Sequence, residues 1–168
     1  LSSEDLNARA SQAATGLASL GVKRGDLIAI YLRNDLPFLE ATFAAGLLGA
    51  YPTPVNWHYA EAEARYLFEN SGASAIIIHA DLIEPIRAAL PPGVPVLVVA
   101  TPPEIAQAYG IDPAPVPAGM IDWAAWLEGF EPYAEPTADG PGTIIYTSGT
   151  TGQPKGVRRR QPTPEQAA

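Results

Sequence analysis

Apolar and polar positions along this chain alternate between two spacings. From residue 3 to 20, Leu6, Ala10, Ala13, Ala14, Leu17 and Leu20 recur every three or four residues, the stripe of an amphipathic helix. Gly21 follows as a stop. After the turn Lys23-Arg24-Gly25-Asp26 comes Leu-Ile-Ala-Ile-Tyr-Leu, an unbroken apolar run of the kind a strand shows when both its faces are buried. Residues 35–49 read as a second helix, apolar on most sides, in which Gly46 and Gly49 are expected to permit close packing rather than to break it. Tyr-Pro-Thr-Pro-Val-Asn, 51–56, is too rich in proline for a central strand and reads as a short extended piece. A helix is predicted over 60–70, a strand at Ser-Ala-Ile-Ile-Ile-His-Ala, a helix over 81–90, a strand at Val-Pro-Val-Leu-Val-Val-Ala and a weak helix over 102–109. Residues 110–120 and 131–142 read as loops around a short helix at 121–130 that carries Trp123 and Trp126. Thr-Ile-Ile-Tyr-Thr-Ser, ending at Ser148, reads as the last strand.

Strands that alternate with helices and are themselves unbroken and β-branched predict an α/β fold: a Rossmann-like parallel sheet with helices on both faces and right-handed crossovers. Ligands of such sheets sit beyond the carboxyl ends of the strands. That places the stretch Thr147 to Gly156 at the expected ligand-bearing end of the last strand.

The chain has 168 residues, which suits one domain, and 47% of them are hydrophobic, enough for a sizeable core. It has no cysteine, so disulfides and thiolate metal sites are excluded, in keeping with a reducing compartment. No apolar run reaches the ~18 residues of a membrane span, and the start lacks the pattern of a signal peptide. A cytoplasmic protein is expected. Residues 1–154 hold 6 basic against 17 acidic side chains, a body that repels nucleic acid. Four of the ten basic residues, Lys155 and Arg158 to Arg160, fall together beside the last strand. The absent initiator Met and the helix start at Thr163-Pro164-Glu165-Gln166, with almost no body after it, point to a piece of something longer.

The chemistry is concentrated in Thr147 to Gly156. Gly149 and Gly152 allow unusual backbone angles and close approach of a ligand. Successive N–H groups in such a turn form an anion-binding nest. Thr147, Ser148, Thr150 and Thr151 add hydroxyls, Lys155 a mobile positive charge, and Pro154 stiffens the chain ahead of it. Together these make a cradle for a polyphosphate. It is not a Walker A loop: Gly149 and Gly152 are too close, a proline precedes Lys155, and Gly156 stands where Ser or Thr is needed. No G-x-G-x-x-G is present either.

The twelve residues Tyr146 to Val157, Tyr-Thr-Ser-Gly-Thr-Thr-Gly-Gln-Pro-Lys-Gly-Val, resemble the signature of adenylate-forming enzymes: acyl-CoA synthetases, peptide-synthetase adenylation domains and luciferases. Residues 21–56 resemble the early part of that family's large N-terminal domain, and residues 56–77 resemble acyl-CoA synthetases in particular. The resemblance implies the first α/β subdomain of that domain, here over residues 1–168, cut off after the phosphate loop. It implies a two-step reaction. A carboxylic acid, taken as a fatty acid, attacks the α-phosphate of ATP to give acyl-adenylate and pyrophosphate; CoA then displaces AMP to give a thioester. Thr147, Ser148, Gly149, Thr150, Thr151 and Gly152 would hold the β- and γ-phosphates, Lys155 would offset the charge of pyrophosphate, and Thr147 would be a ligand of the bridging Mg²⁺. The family continues for several hundred residues beyond this loop, so the piece alone is expected to be inactive. An amino-acid adenylation domain and a non-catalytic nucleotide-binding domain stay open as alternatives.

Other polar features read as structural. Arg24-Gly25-Asp26 is a turn, His58 and His79 have no partner at metal spacing, Trp123 and Trp126 pack, and Tyr146 packs at a strand end. Glu4 and Asp5 complement a helix amino terminus. Arg158 to Arg160 read as a solvated face.

Overall fold

The computed structural model describes residues 2–135, 144–148 and 154–158, and for Thr147, Ser148, Pro154, Lys155, Val157 and Arg158 only the backbone. Five parallel strands form one sheet: β1 (Leu27–Tyr31), β2 (Tyr51–Pro54), β3 (Ala75–His79), β4 (Val96–Val99) and β5 (Ile121–Asp122), in the order β2-β1-β3-β4-β5. The strand order reverses between β1 and β3.

The apolar runs explain the layering. Along β1, Ile28 and Ile30 point to one face of the sheet and Leu27, Ala29 and Tyr31 to the other; along β3, Ala75 and Ile77 oppose Ile76 and Ile78 in the same way. Each face therefore needs a helical cover. The first is covered by α1 (Ser3–Ser19), α2 (Leu36–Leu48) and α6 (Trp123–Leu127), through Ala13, Leu17, Ala41, Ala45, Trp123 and Leu127. The second is covered by α3 (Glu61–Ser71) and α4 (Ile83–Ile86), through Leu67, Phe68, Ile83 and Ile86. Each isoleucine fully buried in this way contributes about 1.5–3 kcal/mol, so β1 and β3 are the centre of the molecule's stability.

Local chemistry sets the element ends. Ser2 and Asp5 form a reciprocal capping box at the start of α1. Asp35 caps α2, its Oδ1 accepting from the Phe38 N–H at 3.3 Å. Gly49, at φ 67°, ends α2 in the left-handed conformation. The packing role expected of Gly46 and Gly49 is thereby corrected: Gly49 is a terminator, and a Cβ on Gly46 would meet nothing within 4 Å. The close approach is at Gly16, where an added Cβ would run into the Trp126 ring.

Tyr51–Pro54 is the short extended piece expected, a strand at the edge of the sheet, where Pro52 and Pro54 are tolerated. Two further expectations change. The helix expected over 81–90 is broken into a 3₁₀ turn (Ala80–Leu82), α4 and a second 3₁₀ turn (Arg87–Ala89), because Pro85 has no N–H to donate. The helix expected from 121 begins at Trp123; Asp122 accepts from the Ala125 N–H at 3.1 Å as its cap, which leaves Ile121 and Asp122 extended to pair with Leu97 and Val98. The helix α5 (Pro103–Tyr109) is where the pattern puts it.

Candidate functional site

The signature strand departs from expectation in its pairing. β6 (Ile144–Ser148) does not extend the parallel sheet; it pairs antiparallel with β7 (Pro154–Arg158), a segment read as loop, and lies along the edge strand β2. The reason is connection length. Five residues separate the two strands; a parallel pair needs a crossover of about a dozen residues or more, whereas an antiparallel hairpin closes over a short loop.

Ile144 is 7% exposed and joins the second core, and Ile145 is 47% exposed, the one-in, one-out alternation of a strand covered on one side. The Tyr146 hydroxyl donates to Asn70 Oδ1 at 3.3 Å. Its ring lies over Gly156, directly across the ladder, where a Cβ would come within 3.0 Å of Tyr146 Cζ. Tyr146 thus packs as expected, and a side chain at position 156 would press on its ring. A cavity of about 470 Å³ separates the hairpin from the amino ends of β1 and β2, lined by Asp26, Tyr51, Asn70, Tyr146 and Gly156 among others.

Of the residues chosen from sequence, Thr147 and Lys155 fall on one rung of the ladder, and Ser148 is opposite Pro154. Gly149, Thr150, Thr151 and Gly152 lie outside the described residues, as do Arg159 and Arg160.

The carboxyl edge of the parallel sheet holds a second polar cluster, at the point where the strand order reverses. The Arg33 guanidinium makes two bonds to the Asp81 carboxylate, Nη1–Oδ1 at 2.9 Å and Nη2–Oδ2 at 2.7 Å, and lies 4.8 Å from the ring centres of both Trp57 and Tyr109. Burial alone would raise the Asp81 carboxyl, but the hydrogen bonds from Arg33 and Thr101, with the Arg33 charge, outweigh it and hold the group below its ordinary range. His79, fully buried, accepts the Arg33 backbone N–H at Nδ1 (3.2 Å), so its proton is on Nε2, which donates to Asp35 Oδ2 at 2.9 Å. His79 is structural, as read from sequence. The cluster as a whole was not singled out there; its signal was Arg33-Asn34-Asp35 and His79-Ala80-Asp81 directly after two buried apolar strands.

Beside that cluster, a cavity of about 890 Å³ opens among the amino ends of α1, α2, α5 and α6. Glu40, 1% exposed, projects toward it from α2, held by the Arg9 guanidinium and by the Trp123 Nε1–H at 2.7 Å. Asp5, Asp35 and Asp122 also line it, and each caps its own helix. Among the described residues no three His, Cys, Asp or Glu side chains gather as a metal cage, and no helix is long and apolar enough to cross a membrane.

The family model for AMP-binding enzymes matches residues 1–161. The chain belongs to the AMP-binding enzyme family. It is 32% identical over 156 residues to the long-chain-fatty-acid–CoA ligase FadD13 of Mycobacterium tuberculosis, covering 90% of this chain and 28% of that protein. It is 34% identical over 160 residues to the 3-oxocholest-4-en-26-oate–CoA ligase of Rhodococcus rhodochrous, covering 92% of this chain and 27% of that one. The chain therefore spans little more than a quarter of the length of these relatives. Among solved structures, a fatty acyl CoA synthetase of Mycobacterium tuberculosis superposes with TM-score 0.67 at 28% identity, over 95% of this chain and 29% of that one. The anthranilate CoA ligase AuaEII, in complex with anthranoyl-AMP, superposes with TM-score 0.74 over 92% of this chain and 29% of that one, and at 24% identity shares the fold.

Proposed function

We propose that the parent of this chain is an AMP-forming acid–thiol ligase acting on a fatty acid. An oxygen of the carboxylate attacks the α-phosphorus of ATP and the bond to pyrophosphate breaks, giving the acyl-adenylate. The sulfur of CoA then attacks the acyl carbon, the bond to AMP breaks, and the thiol proton is released. Residues 1–168 form the first α/β subdomain and carry the phosphate loop. Thr147, Ser148, Gly149, Thr150, Thr151 and Gly152 bind the β- and γ-phosphates through hydroxyl and N–H groups, and Lys155 is the catalytic cation that offsets charge on the departing pyrophosphate. Reactions at phosphorus are catalysed largely by positioning and by neutralising oxygen charge, which is what hydroxyls, main-chain N–H groups and one lysine supply.

The observation that carries this reading is the twelve-residue signature Tyr146 to Val157, in a chain matched over 1–161 by the AMP-binding model. The naming of relatives as fatty-acid–CoA ligases supports the choice of acid and acceptor. Mg²⁺ takes oxygen ligands and would accompany the phosphates of ATP. The Thr147 hydroxyl is then one added oxygen. When bound, the ion supplies charge neutralisation at the phosphates.

The test is ATP–pyrophosphate exchange by the parent with Mg²⁺ and a panel of acids, followed by thioester formation on adding CoA. Exchange driven by fatty acids, with transfer to CoA, is expected, and residues 1–168 alone should give none. Exchange with amino acids and no transfer to CoA would replace this reading by an adenylation domain; no exchange with any acid would replace it by a non-catalytic nucleotide-binding domain.

A further inference from the structure

Asn70 gives its side chain to another element rather than to its own helix. It is the last residue but one of α3, and Gly72, in the left-handed conformation at φ 61°, ends that helix beyond it. Asparagine is a poor helix former because its side chain competes for the backbone, so its presence there calls for another reason. Two and three residues earlier, Phe68 and Leu67 are buried in the second core, which fixes this end of α3. From that fixed end Asn70 Oδ1 accepts the Tyr146 hydroxyl at 3.3 Å.

The bond joins residues 76 positions apart, at the place where the signature strand needs an anchor. Ile144 enters the second core, but a cavity of about 470 Å³ lies between the hairpin and the amino ends of β1 and β2, and Asn70 and Tyr146 are both part of its wall. On that side the hairpin is held across open space rather than by close packing. A second contact of Tyr146 is its ring over Gly156. A side chain at 156 would press on the ring, so the ring favours the register in which 146 faces 156. The next rung is Thr147 opposite Lys155. What fixes Tyr146 therefore fixes the rung that Thr147 and Lys155 make.

We propose that Asn70 is a positioning residue for the signature loop: by holding the Tyr146 hydroxyl it sets the place of the Thr147–Lys155 rung, and with it the groups that meet the β- and γ-phosphates of ATP. The inference rests on the phosphate-binding role proposed for that loop. Asn70 acts through Tyr146 and not on the phosphates. One exposed hydrogen bond adds little to global stability, whereas a displacement of about 1 Å in groups that position a substrate costs up to about 100-fold in rate. The effect of losing the bond should therefore appear in the use of ATP and not in the unfolding midpoint.

The test uses the full-length parent. Asn70→Leu removes the acceptor at similar volume, Asn70→Asp keeps an oxygen in its place, and Tyr146→Phe removes the donor. Amide hydrogen exchange over residues 144–148, read without ATP, should quicken about fivefold in Asn70→Leu and in Tyr146→Phe, the worth of one hydrogen bond, with β1 and β3 unchanged. In acid-dependent pyrophosphate exchange, Asn70→Leu should lower kcat/KM for ATP about 10-fold and leave KM for the acid within about twofold. Asn70→Asp should recover to within about threefold of the parent, and Asn70→Leu should add less than about twofold to Tyr146→Phe, because both remove the same bond. A merely structural loss would raise KM for the acid as well and would not be recovered by Asn70→Asp. Unchanged amide exchange, ATP kinetics within about twofold of the parent in Asn70→Leu, an equal loss in Asn70→Asp, or full additivity with Tyr146→Phe would each overturn the proposal. Lys155→Ala in the same parent separates it from the reading beneath it. Normal pyrophosphate exchange by Lys155→Ala would remove the role of the loop and the proposal with it, whereas loss by Lys155→Ala beside normal kinetics in Asn70→Leu would overturn the positioning role alone.

Discussion

The carboxyl edge of the parallel sheet and the signature hairpin are both rich in polar residues, and they are anchored in different ways. At the edge, Arg33, Asp35, His79, Asp81 and Thr101 are bonded to one another or to nearby backbone, under the rings of Trp57 and Tyr109. These groups tie together the segments that follow β1, β3 and β4. At the hairpin, the anchoring contacts come from Ile144 in the core and Tyr146 on Asn70 and over Gly156. Thr147 and Lys155 share a rung beyond those anchors. Charged and hydroxyl side chains at strand ends are therefore no evidence of a site by themselves; what distinguishes a structural lock from a ligand cradle is where their hydrogen bonds go.

Four experiments would break or sharpen that contrast. The largest effect is expected at the edge. Asp81→Asn leaves the Arg33 guanidinium buried without its counter-charge, and thermal or denaturant unfolding should show a loss of about 3–5 kcal/mol. At the hairpin, Lys155→Ala in the parent should lower acid-dependent pyrophosphate exchange by about 10²–10³-fold while leaving the unfolding midpoint where it was. Next, Gly16→Ala drives a methyl into the Trp126 ring and should cost about 1–3 kcal/mol of stability, with no change in exchange by the folded parent.

The smallest effect is in pH. Asp81 is held below its ordinary range, so its contribution to stability is complete above the unfolded carboxylate value of about 4 and is lost as pH falls through its lower folded value. Acid unfolding of the Asp81→Asn variant should lack that component. At the alkaline end, burial, then the Glu63 charge, pushes Tyr31 up to about 12. Stability should therefore fall as pH rises from the ordinary tyrosine range of about 10 toward that value, and Tyr31→Phe should flatten the loss.

Much of this fold was legible in the sequence because its pattern is unambiguous where both faces of a strand are buried. Leu27–Tyr31 and Ala75–His79 could be nothing but central strands once flanked by helical stripes. What escaped reading depended on pairing at a distance. Ile121 and Asp122 are extended only because β4 lies beside them, and Pro154–Arg158 is a strand only because β6 folds back onto it. Nothing in the local pattern of either announces a partner. The signature was legible as a mark of the family, while its position on a separate hairpin was not, since an apolar run ending in hydroxyls reads the same in either sheet. The edge cluster escaped because Arg33 and Asp81, 48 positions apart, meet only through the order of the strands.

The separation of roles is tested most directly by measuring pyrophosphate exchange and unfolding midpoint on the same parent protein carrying Lys155→Ala or Asp81→Asn. The account predicts that Lys155→Ala loses exchange at an unchanged midpoint, and that Asp81→Asn loses midpoint while each folded molecule exchanges at the original rate. Full exchange by the Lys155→Ala protein, with or without a stability change, would contradict it.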